Sequence, residues 1–234
     1  MVARGDMGVE ISPEKVFLAQ KSIIAKCNMA GKPVICATEM LESMTRRPRP
    51  TRAELSDVAN AVLDGADCLM LSAETASGAF PVAAACIMDS ACRQAEAALC
   101  SARTFAELRR QVCQRDSELV AAADAVQMTF KTGAAAILVL TSDGRSAHQI
   151  ARFRPSCPVL VVTRSELVAR QSRLHRALVP IVVKEPENGI PQNTGNVVMQ
   201  AITLAKQYHL LVPGDTLVYF ERAKGARRPT IVSV

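Results

Sequence analysis

Short runs of apolar residues alternate with longer amphipathic segments along most of the chain. The short runs are typical of strands buried in a parallel sheet, and the longer segments repeat apolar residues every three or four positions, as helices do. Near the N-terminus we predict a strand that runs into Arg4–Asp6 and turns at Gly8, followed by strands at Pro33–Thr38 and Cys68–Ser72. This alternation predicts an α/β fold with a mostly parallel sheet.

The segments between these strands carry the start and stop signals of helices. Ser12 is placed to cap a first helix, which Gly31 ends. Thr51 and Glu54 form a capping box, in which each side chain accepts a hydrogen bond from the backbone amide of the other residue. Pro81 opens a further Ala-rich helix. Each predicted helix returns the chain to the edge at which the next parallel strand begins.

The region 101–116 separates two such alternating sections. It mixes Arg, Glu and Gln with few apolar residues and has no strand pattern, so we predict a connecting helix and linker there. Residues 1–100 then form one domain and residues 117–234 another. In the second domain we predict a helix at Glu118–Lys131, a strand at Ala135–Leu140, a helix from Ser146, a strand at Val159–Val162, a helix capped by Ser165, a strand at Val179–Val183, a helix at Val197–Tyr208, and strands at Thr216–Phe220 and Thr230–Val234.

The composition predicts a soluble protein with no membrane partner. Hydrophobic residues make up 49% of the 234 residues, but a charged residue or a glycine interrupts each apolar run before it is long enough to cross a bilayer. The N-terminus lacks the basic and then apolar order of a secretory signal, so a cytoplasmic location is expected. The eight cysteines form no C-x-x-C pair and the three histidines lie far apart, so we expect reduced core cysteines and no zinc site.

The net charge of +6 bears on the kind of partner that the chain would bind. Basic residues (28) exceed acidic residues (22) without forming one block, and aromatic residues, at 3%, are too few for base stacking. We therefore expect no nucleic-acid partner and favour anionic small molecules. Two basic loops would suit such a ligand, with a solvated surface as the alternative: Arg46, Arg47, Arg49 and Arg52 in one, and Arg222, Lys224, Arg227 and Arg228 in the other.

Polar side chains follow each of the first three predicted strands. Because the carboxyl ends of parallel strands meet at one edge of a sheet, we expect Asp6, Thr38, Ser72 and Glu74 to lie close together. The Asp6 carboxylate is a hard oxygen ligand of the type that magnesium prefers, and Arg4 would help to neutralise an anionic substrate. The Thr38 hydroxyl can donate to a substrate carboxylate or relay a proton. Capping of a following turn is the alternative for both Asp6 and Thr38.

A second candidate site follows the predicted strand at Ala135–Leu140. Hydroxyls, a flexible glycine and the amides of a helix N-terminus together suit an anion such as phosphate. Asp143 opposes this interpretation because its carboxylate would repel a phosphate, and an ordinary turn is the alternative. The candidate ligand residues are Thr141, Ser142, Gly144, Arg145 and Ser146.

The strings at these strand ends, together with Arg49–Glu54, closely resemble the pyruvate kinase family, and the resemblance continues to the C-terminus. The resemblance implies an eight-stranded (β/α)8 TIM-type barrel with an inserted lid domain, followed by a C-terminal regulatory domain. This chain matches the last three barrel units and the regulatory domain. A partial barrel segment followed by a mostly parallel α/β domain is therefore the expected fold.

The resemblance also implies a reaction, which is phosphoryl transfer from phosphoenolpyruvate to ADP, giving pyruvate and ATP, with Mg2+ and K+. It implies that Gly5, Asp6 and Thr38 bind substrate, that Asp6 also holds the magnesium, and that Thr38 and Ser72 serve proton delivery. Arg4 is the third expected catalytic residue. The glutamate that shares the magnesium, a lysine that steadies the phosphoryl group and most potassium ligands have no match in this chain.

In the second domain the resemblance implies that Thr141–Ser146 holds a sugar bisphosphate effector, and it implies a homo-oligomer for a full-length protein. Two residues depart from the family pattern, since Glu39 stands where Gln is usual and Ala73 where Gly is usual. The alternative function is a non-catalytic truncated paralogue that binds a sugar phosphate or pairs with the full-length enzyme. In either case we expect the isolated chain to be inactive.

Overall fold

Parallel strands connected by helices make up both of the units into which the chain divides, Met1–Cys100 and Ser101–Val234. The computed structural model describes residues 1–112, 116–183, 194–223 and 226–234. The side chains of the second basic loop lie outside the described residues, as does Cys113. The predicted α/β class with mainly parallel sheets is confirmed.

The first unit contains a three-stranded parallel sheet of β1 (Val2–Ala3), β2 (Ile35–Ala37) and β3 (Cys68–Met70), in that order. Its helices are α1 (Arg4–Glu10), α2 (Val16–Ala30), α3 (Arg52–Leu63), α4 (Ala73–Ala76) and α5 (Pro81–Ala97), with 3-10 helices at Pro13–Lys15 and Glu42–Thr45. Apolar side chains from the strands and from α2, α3 and α5 form one core, which includes Ile24, Cys36, Val58, Ala84 and Met88.

Two helix-end signals act as the sequence predicts. Gly31 ends α2 at φ 68°, a left-handed conformation that glycine adopts without steric cost, and its N–H bonds back to the helix. At the start of α3, the Thr51 amide donates to Glu54 Oε2 over 2.7 Å and the Glu54 amide donates to Thr51 Oγ1 over 3.2 Å. The predicted capping box is therefore confirmed.

Several predicted boundaries in this unit are wrong, including those of the second strand, which is predicted at Pro33–Thr38 and found at Ile35–Ala37. The first strand ends at Ala3, and Arg4–Asp6 begin α1, where the buried Arg4 side chain is held by hydrogen bonds to the backbone after β2. Ser12 makes no side-chain cap, and a 3-10 helix precedes α2. The third strand stops at Met70, and α4 follows it at once.

The sheet of the second unit has five strands in the order β6-β5-β4-β7-β8. Four are parallel, and β8 runs antiparallel to β7. The strands are β4 (Ala136–Leu140), β5 (Val159–Thr163), β6 (Leu178–Val182), β7 (Thr216–Ala223) and β8 (Ala226–Ser233). The helices are α6 (Ser101–Val112), α7 (Ser117–Thr132), α8 (Arg145–Ala151), α9 (Glu166–Ser172) and α10 (Thr194–Gln207).

Alternate residues of these strands pack on opposite faces of the sheet, as the pleat requires. Ile137 and Val139 face a core that contains side chains of α7 and α8, whereas Leu138 faces a second core that contains side chains of α10. Strands covered on both faces are apolar at nearly every position, which explains the continuous runs in the sequence.

Residues 101–112, for which the sequence predicts a connecting helix and linker, form α6. Phe105 and Leu108 of this helix are buried in the same core as α7, and the Phe105 ring lies 5.5 Å from that of Phe130. Helix α6 is thus part of the second unit's packing.

None of the seven described cysteines forms a disulfide. Burial raises the pKa of the Cys36 and Cys157 thiols, as expected for core cysteines, but Cys86 and Cys100 are exposed, so the prediction of core positions is wrong for these two. Among the described residues, no helix combines the length and apolar character that crossing a membrane requires.

Candidate functional site

Arg4 points into the first unit and bonds the backbone that follows β2. The side chain is buried, with a relative exposure of 7%. Its Nη2 donates to the Thr38 carbonyl over 2.8 Å and to the Glu39 carbonyl over 2.7 Å, and its Nε donates to the Thr38 carbonyl over 3.1 Å. Nη1 forms a 2.6 Å ion pair with Asp57 of α3. In this arrangement the Arg4 guanidinium holds the backbone that follows β2, and its charge is paired with Asp57 rather than offered to a bound anion.

Thr38 and Glu39 both adopt left-handed backbone conformations, with φ of 68° and 52°. Such a conformation costs a non-glycine residue of order 1–3 kcal/mol, and β-branched Thr38 is an especially unfavourable case. Hydrogen bonds hold the turn, since Thr38 Oγ1 accepts from the Gly5 amide over 2.8 Å and donates to the Ala37 carbonyl over 2.6 Å. The hydroxyl that the sequence predicts to contact substrate is thereby fixed in direction.

Glu74 ties the segments after β2 and β3 together. Its side chain is completely buried, and the two carboxylate oxygens accept separate hydrogen bonds, 2.9 Å from the Leu41 amide and 2.7 Å from the Ser72 amide. Gly78 makes this packing possible, because a β-carbon there would lie 2.6 Å from the Glu74 carbonyl oxygen. Glu74, one of the four polar residues predicted at the strand ends, thus organises the site.

Ser72 presents a hydroxyl that lacks a hydrogen-bond partner within the described parts of the chain, although its oxygen is buried. A buried polar atom of this kind costs free energy until a ligand or water satisfies it. Ala73, the next residue, starts α4 and does not have a positive φ, so its β-carbon introduces no left-handed strain. Of the two predicted hydroxyls, Ser72 is therefore the one whose proton is uncommitted.

Asp6 lies in the first turn of α1 with its side chain exposed. The described residues contain no group of three or more His, Cys, Asp or Glu side chains that would enclose a metal ion. A single exposed carboxylate nevertheless fits Mg2+, which is commonly bound by one or two carboxylates together with water and substrate phosphates. Asp6 can supply one such ligand.

Sequence reasoning missed the residues that hold Arg4. Asp57 pairs with Nη1, and the buried Gln20 side chain lies 3.4 Å from the same atom and donates to Asp64 over 3.0 Å. These residues line a cleft of about 680 Å3 between α1, α2 and α3. One signal in the sequence was available. Asp57 lies three residues after Glu54 in the same predicted helix, so the two acids lie on one side of it and Asp57 could face a basic partner.

In the second unit, the segment Thr141–Ser146 is closed by its own hydrogen bonds. Thr141 Oγ1 accepts from the Gly144 amide over 2.9 Å, and Asp143 Oδ1 accepts from the Arg145 amide over 3.0 Å. The Arg145 N–H lowers the pKa of the Asp143 carboxyl. The helix-start amide that the sequence offers to a phosphate is thus bonded by Asp143. Ser146 is buried, whereas Ser142 and Arg145 are exposed.

A cavity of about 580 Å3 adjoins this segment at the carboxyl ends of β4 and β5. Hydroxyl groups and one guanidinium line its polar side, together with several apolar residues. The polar lining residues at the ends of these two strands are Thr141, Ser142, Thr163, Arg164 and Ser165. The cavity provides hydrogen-bond donors and a positive charge for an anionic ligand.

Comparisons with known proteins cover both units. A family model described as "Pyruvate kinase, barrel domain" matches residues 1–85, and one described as "Pyruvate kinase, alpha/beta domain" matches residues 119–229. Pyruvate kinase PKLR of Homo sapiens is 58% identical over 191 residues, which are 81% of this chain and 33% of the human protein. Pyruvate kinase of Eimeria tenella is 47% identical, covering 93% of this chain and 40% of its own length. Pyruvate kinase of Schizosaccharomyces pombe is 44% identical, covering 99% and 46%. The chain thus spans less than half the length of these relatives.

Proposed function

The chain belongs to the pyruvate kinase family, and on that premise we propose that it carries part of a site for the glycolytic transfer of a phosphoryl group from phosphoenolpyruvate to ADP, giving pyruvate and ATP. The observation that supports this proposal is that hydrogen bonds connect the segments that follow the three strands of the first unit. The Gly5 amide donates to the Thr38 hydroxyl, and the Glu74 carboxylate accepts from the amides of Leu41 and Ser72. These hydrogen bonds orient hydroxyl groups, which this reaction needs.

The two hydroxyls have different roles in the proposed reaction. Thr38 accepts from Gly5 and donates to Ala37, so it is a fixed acceptor and orienting group. The Ser72 hydroxyl has no such bonds to the described residues, which leaves the proton available for the enolpyruvate carbon. Arg4 acts as a positioning residue, because its bonds to the Thr38 and Glu39 carbonyls maintain the turn.

Asp6 is the proposed ligand for Mg2+. The bound ion would neutralise the negative charge of the phosphates and position them for transfer. The exposed Asp6 carboxylate is adjacent to Gly5, whose amide is bonded to Thr38, so metal and substrate would share one edge of the sheet. Potassium is proposed from the family resemblance alone, with most of its ligands outside this chain. The same resemblance supports a homo-oligomer for a full-length protein and a cytoplasmic location.

The experiment is a chimera in which this chain replaces the matching segment of human pyruvate kinase PKLR. Turnover of phosphoenolpyruvate and ADP is expected in a coupled assay, with a loss of about 10²–10⁴-fold in Ser72→Ala, as for other general acids. Asp6→Ala should abolish Mg2+-dependent turnover, whereas Glu10→Ala, an exposed acid on the same helix, should not. A folded chimera without turnover would contradict the proposal.

The isolated chain should show no turnover above a control without protein. Positioning and charge neutralisation supply nearly all of the catalysis in phosphoryl transfer, and this chain lacks the partner acid and the lysine that the family uses. The alternative of a non-catalytic module is not favoured, since the family matches include the barrel segment as well as the C-terminal domain.

The second unit is proposed to bind a sugar bisphosphate effector. The cavity beside Ser142 and Arg164 supports this regulation of the enzyme, and the Asp143 carboxylate opposes it. Calorimetry of the whole chain with fructose bisphosphates tests the proposal. Binding should weaken as the salt concentration rises. Arg145→Ala should weaken binding by about 1.5–3 kcal/mol, the contribution of a charged hydrogen bond. Asp143→Ser should tighten binding, because it releases the Arg145 amide. No heat at millimolar ligand with wild type and Asp143→Ser would exclude the effector site.

A further inference from the structure

A stacked pair of histidine side chains connects α8 to the turn that follows α9. The ring centroids of His148 and His175 lie 4.1 Å apart, and the ring planes are inclined by only 18°. His148 lies in the middle of α8, and the His175 amide bonds to the Ser172 carbonyl at the end of α9. The two rings therefore form a contact between elements that follow neighbouring strands of the sheet.

The His148 ring also packs against the segment Thr141–Ser146. A β-carbon added at Gly144 would lie 3.4 Å from both Cε1 and Nε2 of His148, so the ring contacts the glycine face directly. Gly144 has φ 79°, and the Asp143–Arg145 hydrogen bond spans it. A displacement of the ring therefore changes the packing of the residue on which this turn depends.

The neutral form of His148 suits this position. Nε2 is buried and has no hydrogen-bond partner within the described residues. A protonated imidazole carries N–H groups on both nitrogens, so one of them would be buried here without an acceptor. Burial lowers the pKa of His148, and the opposing field of Asp143 does not cancel this effect.

Within residues 116–183, the charged groups on the surrounding elements do not supply another acceptor for the ring. Strands β4 and β5 carry no charged residue, and Glu118 of α7 accepts a hydrogen bond from Gln149. On α9, Glu166 pairs with Arg170. The other charged residues near the pair in the chain are basic: Arg145, Arg152, Arg173 and Arg176. Asp143 is therefore the acid toward which a charged His148 ring would turn.

We propose that the His148–His175 stack is a proton-operated switch, which holds the segment Thr141–Ser146 closed at neutral pH and opens it in mild acid. Proton uptake at His148 makes the stacked, buried position unfavourable, and the charged ring leaves the stack for the Asp143 carboxylate. Asp143 then releases the Arg145 amide, and the turn around Gly144 opens. This inference stands apart from the proposed reaction, since it depends on no residue of the first unit.

The test is a pH titration of the whole chain by two-dimensional ¹⁵N–¹H NMR between pH 7.5 and pH 5. The Gly144 and Arg145 amide signals should move together, with a midpoint below the value near 6.5 of an ordinary imidazole. In His148→Phe, which keeps an aromatic ring in the stack but takes up no proton, the movement should disappear. His209→Asn is the matched control, because His209 is exposed and lies outside the pair, and it should leave the titration unchanged.

His175→Ala is the second variant, and it decides the question if His148→Phe does not fold. Removal of the covering ring admits water to His148, so the midpoint of the Gly144 and Arg145 titration should move up toward that of an ordinary imidazole. Three results would each overturn the switch: amide signals that do not move in the wild type, an unchanged titration in His148→Phe, or an unchanged midpoint in His175→Ala.

Discussion

Arg4 and Thr38 are joined by two hydrogen bonds from one guanidinium to one carbonyl oxygen, over 2.8 Å and 3.1 Å. The acceptor belongs to a β-branched residue in a left-handed conformation, which is unfavourable unless neighbouring groups hold it. A residue that looks like an exposed substrate contact in the sequence is thus a buried support for the site. The stability of the first unit and the shape of the turn should depend on it.

Arg4→Met should destabilise the protein by at least about 2 kcal/mol, because the substitution removes the donors to the Thr38 and Glu39 carbonyls and leaves Asp57 without its partner. The measurement is urea unfolding followed by circular dichroism. Arg93→Met is the control, since Arg93 is exposed and its ion pair with Asp89 lies on the surface, and it should change little. Equal midpoints for Arg4→Met and wild type would contradict the supporting role.

The sequence predicted the strands well and their ends poorly. The apolar runs marked both β2 and β5, because burial on both faces requires such runs. The missed helices α1 and α4 each begin within three residues of a strand, where tertiary contacts decide the conformation. The burial of Arg4 and of Glu74 depends on partners more than 30 positions away, which no local pattern reveals.

The candidate site was predictable in its residue types but not in their roles. The hydroxyls and acids stand at the predicted edge of the sheet, since that edge follows from the strand positions. Whether a hydroxyl proton is committed, as in Thr38, or uncommitted, as in Ser72, depends on bonds that only the folded backbone creates. In the second unit, the bond from the Arg145 amide to Asp143 was equally beyond sequence reasoning.

Glu54 should make the stability of the first unit depend on pH in the acid range. Burial alone would raise the pKa of its carboxyl, but hydrogen bonds from Ser43 and Thr51 outweigh burial and lower it. A carboxyl with a lowered pKa in the folded state stabilises the fold above its unfolded pKa, near 4.3, and this contribution is lost as pH falls through the folded pKa.

The stability difference between wild type and Glu54→Gln should therefore be largest near neutral pH and shrink as the pH falls below about 4.3. Urea unfolding at a series of pH values measures it. Glu10→Gln, an exposed acid in α1, is the matched control and should show no comparable pH dependence. A constant difference for Glu54→Gln across the acid range would show that its hydrogen bonds are not linked to protonation.

Gly78 and Gly8 should respond in opposite ways to replacement by alanine. A β-carbon at Gly78 would lie 2.6 Å from the Glu74 carbonyl oxygen and 3.1 Å from Thr45 Cα, both of them backbone atoms. Gly78→Ala should therefore cost about 1–3 kcal/mol, as overpacking does. Gly8 lies in α1 with open space around it, so Gly8→Ala should be neutral or stabilise by up to about 1 kcal/mol. Thermal unfolding of both variants compares them, and equal effects would contradict the close packing at Gly78.

Glu74→Gln should disturb the site while preserving size and shape. Both carboxylate oxygens accept from backbone amides, those of Leu41 and Ser72, but a glutamine offers one acceptor oxygen and places an NH2 group against the second amide. One buried N–H then lacks a partner, at a cost of about 1–3 kcal/mol. Because the Ser72 amide is one of the two, the position of the Ser72 hydroxyl should change as well.

In the chimera with the human relative, Glu74→Gln should lower kcat more than it raises KM for phosphoenolpyruvate. Ala76→Ser, an exposed change on the same short helix that removes no hydrogen bond to Ser72, is the control. Unfolding and kinetics that both match wild type would show that Glu74 does not hold Ser72 in place.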